Sequence, residues 1–448
     1  MKQPIISVSG LRGIIGESLS PTLAIRYATA FISSLSEDGP VVVTRDGRTT
    51  GQMLASAVCS GISAIGRDVI YADVAATPTT GVLVRTNSAA AGIQISASHN
   101  PAPYNGIKLF GSDGRVITAD RGETVISRYD ADEEYWVEHD RIGAISQPQD
   151  TISEHLKLVL STVDVDRIRE KNFKVVLNSQ HGAGSILGRK LLEALNCRAE
   201  MIGDVPDGLF EHPPEPTEAN LQPTIKQAVE FGADAVFCQD PDADRLAVID
   251  EEGNYIGEEY TLAITLDHAL QSNPGPVVIN CSSSRMSNDI CEKHGCAIHL
   301  SAVGEANVTS EMIRTSAVYG GEGNGGPIDP RVGYVRDSFA AMAQVLDAMA
   351  SGNKKISELA AAIPRYEIVK TKIAIDRDSI DALYTALREG FADASVSTMD
   401  GLRLDWPDKW MLVRPSNTEP IVRAIAEATT YDEARELCDA AARFAAGL

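Results

Sequence analysis

Residues 41–48 read VVVTRDGR, a β-branched apolar run that stops at an arginine, an aspartate and a glycine. A short apolar run bounded in this way reads as a buried strand opening into a polar loop. The same design returns at 174–182, KVVLNSQHG, and at 276–284, PVVINCSSS. Between these runs, apolar stretches alternate with helix-period patterns through the first three quarters of the chain, which is the signature of α/β units. The three runs echo one theme, but the spacing between them is not constant, so by themselves they do not define a repeat.

A chain of 448 residues is too long for one ordinary core, and length alone suggests about three domains. With 44% hydrophobic and 23% charged residues the composition is that of a globular protein, and no apolar stretch is long enough to cross a bilayer. The N-terminus, MKQPIISVSGLRGIIGE, lacks a cleavable signal pattern because an arginine and glycines interrupt its apolar residues. Seven cysteines without framework spacing point to reduced thiols. The expected location is therefore the cytoplasm. In CEKHGCAIH, Cys291, His294, Cys296 and His299 are potential zinc ligands. A helix ending at Gly295 and a strand starting at Cys296 would instead send them in different directions, and paired ligand spacing is lacking. The net charge of −22 argues against nucleic acid or an anionic membrane as partner. An anionic substrate must then be held by a local group of basic residues.

The acidic stretch Tyr129–Asp140, followed by SQPQD, loses apolar periodicity and suits a linker near residue 150. DEEGNYIGEEY at 250–260 reads as a turn into a new helix, and a third boundary falls near AAAIPRYEIVK at 361–370. Four segments result: 1–150, 151–252, 253–366 and 367–448. The last closes with TYDEARELCDAAARFAAGL, where Thr430 and Glu433 form a capping-box pattern and Ala434, Leu437 and Ala441 recur at helical spacing.

Four loops carry residues suited to chemistry. In GIQISASHNPAPYNGIKLF, 92–110, a buried strand ends at Ser98 and His99; Ser98 is either a nucleophile or a polar residue of a turn, since Ser, Asn and Pro are ordinary turn residues. In FCQDPDADRLAVID, Asp240, Asp242 and Asp244 alternate between two apolar runs. They could converge on a hard cation such as magnesium, which prefers carboxylate oxygens. A solvated acidic turn is the alternative, and Arg245 beside them is another possible counter-charge. In KWMLVRPSNTEPIVRAIAEA, Arg414, Ser416, Asn417, Thr418 and Arg423 offer two guanidinium forks, hydroxyls and backbone amides, a kit for a phosphate group. A plain hairpin turn around Pro415 would use the same letters. In VYGGEGNGGPIDP, 318–330, Glu322 and Asn324 stand among glycines. A carboxylate and an amide where the backbone can be approached closely suit the hydroxyls of a sugar. GLRGIIG at 10–16 adds Arg12 in a similar setting.

In this order, SGLRGIIG, SASHNP, NGIK, DPDADR, GEGNGG and RPSNTEP resemble the α-D-phosphohexomutase family, and PDGLFEHPPEPTEANL at 206–221 resembles its segment leading toward the metal loop. The likeness spans nearly the whole chain. It implies an α/β fold of four domains, three related α/β units and a smaller α+β C-terminal one, around a central cleft. The implied site has a phosphoserine loop in 1–150, a metal loop in 151–252, a sugar loop in 253–366 and a phosphate loop in 367–448.

The resemblance implies that Ser98 carries a phosphoryl group beside a magnesium ion held with Asp240, Asp242 and Asp244. Ser98 would donate that group to a hexose monophosphate, giving a sugar bisphosphate that turns around and returns its other phosphate. A hexose bisphosphate is thus both intermediate and activator. Lys108 in NGIK would be the general base, with neighbouring arginines lowering its pKa. Arg12 and His99 would assist near Ser98, and Arg245 would border the substrate. Glu322 and Asn324 would read the sugar, while Arg414, Ser416, Asn417, Thr418 and Arg423 would grip the phosphate that does not react. The implied partner is a small phosphosugar, with the chain a monomer or homodimer.

Within the family, SASHNP and the chain length look most like phosphoglucosamine mutases, which interconvert glucosamine 6-phosphate and glucosamine 1-phosphate. A phosphoglucomutase or phosphomannomutase of broad hexose specificity is the alternative, and a non-catalytic phosphosugar-binding protein a third. The sugar loop of many members reads Gly-Glu-Met-Ser-Gly-His, whereas here Asn324 replaces the serine and Gly326 the histidine. A histidine role in proton transfer does not carry over. Pro241 and Asn417 each replace a family glycine without removing a ligand.

Overall fold

The structure, a computed structural model, describes residues 3–7, 10–133, 136–415 and 421–447. Four sheets follow one another along the chain. Each of the three apolar runs singled out above is a strand in the interior of its own sheet: Val41–Arg45, Lys174–Asn178 and Val277–Asn280. Such strands are covered on both faces, which is why they read as continuous apolar runs rather than alternating ones.

The three sheets share one connectivity. In the first, Val41–Arg45 pairs in parallel with Val69–Val74 on one side and Ala91–Ile95 on the other, and Tyr104–Gly111 adds antiparallel to Ala91–Ile95. In the second, the corresponding strands are Lys174–Asn178, Arg198–Ile202, Ala235–Gln239 and Leu246–Ile249. In the third they are Val277–Asn280, Ile298–Ser301, Tyr319–Glu322 and Gly326–Ile328. The theme that sequence spacing left undecided is therefore a unit occurring three times. The first sheet is extended at both edges, by Ile5–Ser7 and Gly10–Ile14 beyond Tyr104–Gly111, and by Ile145–Ser146 beside Val69–Val74.

Helix Ser338–Gly352 joins the second and third units. Every side chain from Ser338 to Ala350 is buried, against helices Glu258–Ser272, Val165–Lys171, Ser153–Leu160 and Gly184–Ala194. A helix buried on every face and apolar at most positions belongs inside a core rather than on a surface. Asp337 caps it, accepting from Phe339 N at 2.9 Å and Ala340 N at 3.1 Å. The other carboxylate oxygen of Asp337 bonds His155 Nε2 at 2.8 Å, and His155 Nδ1 bonds Thr79 Oγ1 at 2.9 Å. One buried imidazole thus ties the first unit to the helix shared by the next two.

The fourth sheet is antiparallel throughout, in the order Glu367–Ala374, Ile421–Ala428, Trp410–Pro415, Leu402–Asp405, Ser395–Ser397. Helix Tyr431–Ala446 packs on it through Ala434, Leu437 and Ala441, the positions the spacing predicts. Glu433 N donates to Thr430 Oγ1 at 3.3 Å, and the Glu433 carboxylate accepts from the Thr429 and Thr430 hydroxyls at 3.0 Å. The fourth sheet docks on the third unit where Trp410 and Leu412 meet Cys281. There Glu427 accepts from Trp410 Nε1 at 2.8 Å and from Arg285 N at 2.9 Å. At the CEKHGCAIH stretch, helix Met286–Lys293 ends with Gly295 at φ +64°, and the next strand begins at Ile298. His294 turns onto Asp267 at 2.7 Å, and Cys291 is buried in the core. Among the described residues no helix is long and apolar enough to cross a membrane.

Candidate active site

The repeated connectivity explains where the chemistry lies. The Ser98 loop joins the third and fourth strands of the first unit, DPDADR joins those of the second, and GEGNGG joins those of the third. Three loops scattered over more than 200 residues are thus the same hairpin of one repeated design, and the packing of the units brings them together.

Ser98 is 2% exposed and sits in the left-handed region at φ +49°, where a non-glycine residue needs support from its surroundings. That support comes from the first strand's loop. Arg48 donates to the carbonyl of Ser98 at 2.6 Å, to those of Pro101 and Tyr104 at 2.9 Å, and to that of Asn100. Asp46 pairs with Arg48 at 3.2 Å and accepts from Ser96 Oγ at 2.7 Å, while Ser96 Oγ accepts from Ser98 N at 2.9 Å. Both members of the ion pair are buried. Sequence reasoning missed this brace, although a charged DGR ending a buried strand is its trace.

The Ser98 hydroxyl donates to Asp240 Oδ2 at 2.8 Å and lies 3.2 Å from His99 Nδ1. Burial, with Arg245 and Arg12 nearby, holds the imidazole of His99 down at about 3, so it is neutral. Arg12 reaches Asn100 Oδ1 at 3.3 Å. Arg245 stands 3.8 Å from Asp244, and its backbone N–H donates to Asp240.

Asp240, Asp242 and Asp244 are fully buried, and one oxygen from each lies within 4.8 Å of the others. Three like charges in such a space require compensation. Lys108 Nζ bonds Asp242 and, at 2.9 Å, Asp244. Arg336 bonds Asp244 at 2.7 Å. Among the described residues no cation pairs with Asp240, which is pushed well up from the carboxylate range by burial and by the other two aspartates. Among the described residues the Oδ1 atoms of Asp242 and Asp244 are buried without a hydrogen-bond partner, Asp244 Oδ1 having only Arg245 Nε at ion-pair distance. Orphaned carboxylate oxygens beside a serine hydroxyl fit a hard divalent cation.

Lys108 corrects one expectation. Burial acts to lower its pKa, but Asp242 and Asp244 outweigh burial, and the ammonium is held charged well above its ordinary range. Arginines depress a lysine only where no carboxylate lies closer.

Arg336 is the second residue that sequence reasoning missed. Besides Asp244 it pairs with Glu322 at 2.6 Å and Glu305 at 2.9 Å. A side chain at Gly326 would collide with the Arg336 stem, so the glycine found in place of the family histidine leaves room for this guanidinium. Glu322 is saturated: Oε1 also accepts from Asn280 Nδ2 at 2.7 Å and Gly304 N at 2.9 Å.

Glu322 and Asn324 line a cleft of about 360 Å³ together with Arg414 and Arg423. Lys372 pairs with Arg423 and Arg423 with Arg414 in the strand register, so three cations stand in one row across three adjacent strands. Lys370 lines the same cleft. Like charges directly opposite one another are unfavourable on a sheet; Asp400, 3.2 Å from Arg414, offsets part of that repulsion, and the grouping suits a further anion such as phosphate. The two lysines were legible as K-T-K at strand spacing. Ser416, Asn417 and Thr418 lie outside the described residues.

Four models of the phosphoglucomutase/phosphomannomutase family match the chain in order: alpha/beta/alpha domains I, II and III over residues 4–136, 153–253 and 257–366, and the C-terminal domain over 369–444. The chain is 35% identical over 439 residues to a phosphoglucomutase/phosphomannomutase of Thermococcus kodakarensis, covering 95% of each chain. It is 33% identical to a probable phosphoglucosamine mutase of Methanopyrus kandleri, over 96% of this chain and 95% of that one. A phosphoglucomutase/phosphomannomutase family protein from Burkholderia thailandensis has the same fold, with a TM-score of 0.85 at 26% identity over 98% and 97% of the two chains. The chain belongs to the phosphoglucomutase/phosphomannomutase family of phosphohexomutases, enzymes of the isomerase class.

Proposed function

We propose that this phosphohexomutase interconverts glucosamine 6-phosphate and glucosamine 1-phosphate through a phosphoserine at Ser98 and a sugar bisphosphate. The observation that carries the reading is the Ser98 hydroxyl, buried 2.8 Å from Asp240 in an acidic triad with unpaired oxygens. Magnesium held by Ser98, Asp240, Asp242 and Asp244 would neutralise charge on the transferring oxygens.

The chain's own residues do the rest. Arg48 and Asp46 hold the Ser98 loop in its left-handed turn, so that the hydroxyl keeps one direction. Neutral His99 and cationic Arg12 border the phosphoryl group, and Arg245 borders the sugar. Lys108, once released from Asp242 and Asp244, takes the proton of the attacking hydroxyl. Arg414 and Arg423, with Lys370 and Lys372, grip the phosphate that does not react, and Asn324 reads the sugar beside a Glu322 fixed by Arg336. The bisphosphate turns around within the cleft, and its other phosphoryl group returns to Ser98. Positioning supplies much of the rate in such transfers.

A second reading, a mutase of broad hexose specificity, is favoured by the Thermococcus relative bearing both phosphoglucomutase and phosphomannomutase names. The deciding experiment is kcat/KM for the 1-phosphates of glucosamine, glucose and mannose, with catalytic bisphosphate and magnesium and with Ser98→Ala as blank. A glucosamine value about tenfold or more above the others supports the first reading, a gap of about 1.4 kcal/mol. Comparable values support the second.

A further inference from the structure

The lining of the 360 Å³ cleft is of mixed charge. The fourth sheet contributes its cations. Glu259 comes from the first turn of helix Glu258–Ser272, where the helix dipole favours an anion. Of the two carboxylates lining the cleft, Glu322 has both oxygens engaged, one of them by the guanidinium of Arg336. Glu259 differs. Its Oε2 accepts from Ser284 N at 3.0 Å, and among the described residues no cation lies within ion-pair distance of it. Burial pushes its carboxyl up to about 8, opposed by the charge of Lys370, which lines the same cleft. A side chain at position 323 would collide with this carboxylate. Gly323 therefore keeps open the space that Glu259 occupies at the base of the sugar loop.

A cleft lined both by a group of cations and by a carboxyl that has no ion-pair partner among the described residues matches a ligand that is itself dipolar. Neutral hexose phosphates supply only the anion. A 2-amino sugar phosphate supplies an ammonium as well, and that ammonium is the counter-charge that would hold the buried Glu259 carboxyl ionised. We infer that Glu259 is a specificity-determining residue that pairs with the ammonium of an amino-sugar phosphate, with Gly323 leaving it the room to do so. The inference rests on the mutase reading above and names the residue that would give it amino-sugar preference.

The test compares kcat/KM for glucosamine 1-phosphate and glucose 1-phosphate in the full-length wild type, Glu259→Gln and Gly323→Ala. In both variants the glucosamine-to-glucose ratio is expected to fall by roughly thirtyfold or more, the scale on which loss of one partner of a buried charge pair is felt. Gly323→Ala acts by displacing the carboxylate while leaving Glu259 in the chain. Thermal unfolding of each variant reports whether the fold survives. Calorimetric binding of glucosamine 6-phosphate and glucose 6-phosphate to Glu259→Gln in the Ser98→Ala background gives the same ratio without turnover. A ratio unchanged in Glu259→Gln, with both substrates slowed equally or not at all, overturns the inference and leaves the mutase reading standing. A wild type that converts glucose but not glucosamine phosphates overturns the amino-sugar reading and the inference together.

Discussion

Ser98 and Asp240, 142 residues apart, meet through a 2.8 Å hydrogen bond between equivalent loops of the first and second units. The contact joins the residue proposed to carry the phosphoryl group to the acidic triad. Ser98→Ala is expected to abolish mutase turnover while changing stability little, because the side chain contributes one hydroxyl and almost no packing. Turnover and thermal unfolding measured side by side check this; wild-type turnover would remove the phosphoserine from the mechanism.

Arg48 is expected to matter as much for stability as for rate. Arg48→Ala leaves Asp46 buried and unpaired and frees four carbonyls of the serine loop. A loss of about 3–5 kcal/mol is the expected scale for breaking a buried pair. Urea titration measures it, and a cost under about 1 kcal/mol would mean that the loop holds its shape without the brace.

Asp242→Asn removes one of the orphaned oxygens proposed as metal ligands and is expected to weaken magnesium binding and turnover together. Calorimetric titration of magnesium into wild type and variant reads the first effect independently of the second. Undiminished affinity would place the cation elsewhere.

Lys108→Ala separates two roles. As the general base it should cost on the order of a hundredfold or more in turnover. Because Lys108 also neutralises Asp242 and Asp244, the variant should lose stability in magnesium-free buffer. A variant as active as the wild type would assign the proton to another group.

The pH dependence of stability has a defined sign at Glu259. Its carboxyl is raised to about 8 by burial, with Glu427 and Glu258 adding to the rise and Lys370 opposing it. A raised acid stabilises the fold most below its unfolded value, and that contribution is lost as pH climbs through about 8. Unfolding curves from pH 5 to 9 should therefore show a shallower decline in Glu259→Gln than in the wild type. Identical slopes would mean that the carboxyl titrates as it does in the unfolded chain.

Much of the site was legible because its parts are local. Asp240, Asp242 and Asp244 stand in one loop between two apolar runs, and alternation around a turn suffices to bring their oxygens together. Arg414 and Arg423 are nine residues apart in sequence and stand on neighbouring antiparallel strands, where they face each other in the register. Lys108 stands out in NGIK, but the sequence could not show that Asp242 and Asp244, more than 130 residues away, hold its ammonium charged. Arg48, Arg336 and Glu259 went unseen for the same reason. Each is one charged residue in an ordinary neighbourhood, and its partners are distant in the sequence: Arg48 reaches carbonyls about 50 residues on, Arg336 reaches back to Asp244, and Glu259 meets the Ser284 amide.

By itself the sequence determined the strands, their loops, the closing helix with its Thr430 cap and the residue types of the four chemical loops. These follow from apolar periodicity and turn chemistry, which act over a few residues. Only the tertiary structure decided that the three α/β runs are one repeated unit, that their equivalent hairpins converge, and which buried charges pair. The physical reason is that burial makes an ion pair obligatory without specifying its partner. The partner is chosen by how the units pack, and helix Ser338–Gly352 with the His155–Asp337 contact holds that packing in place.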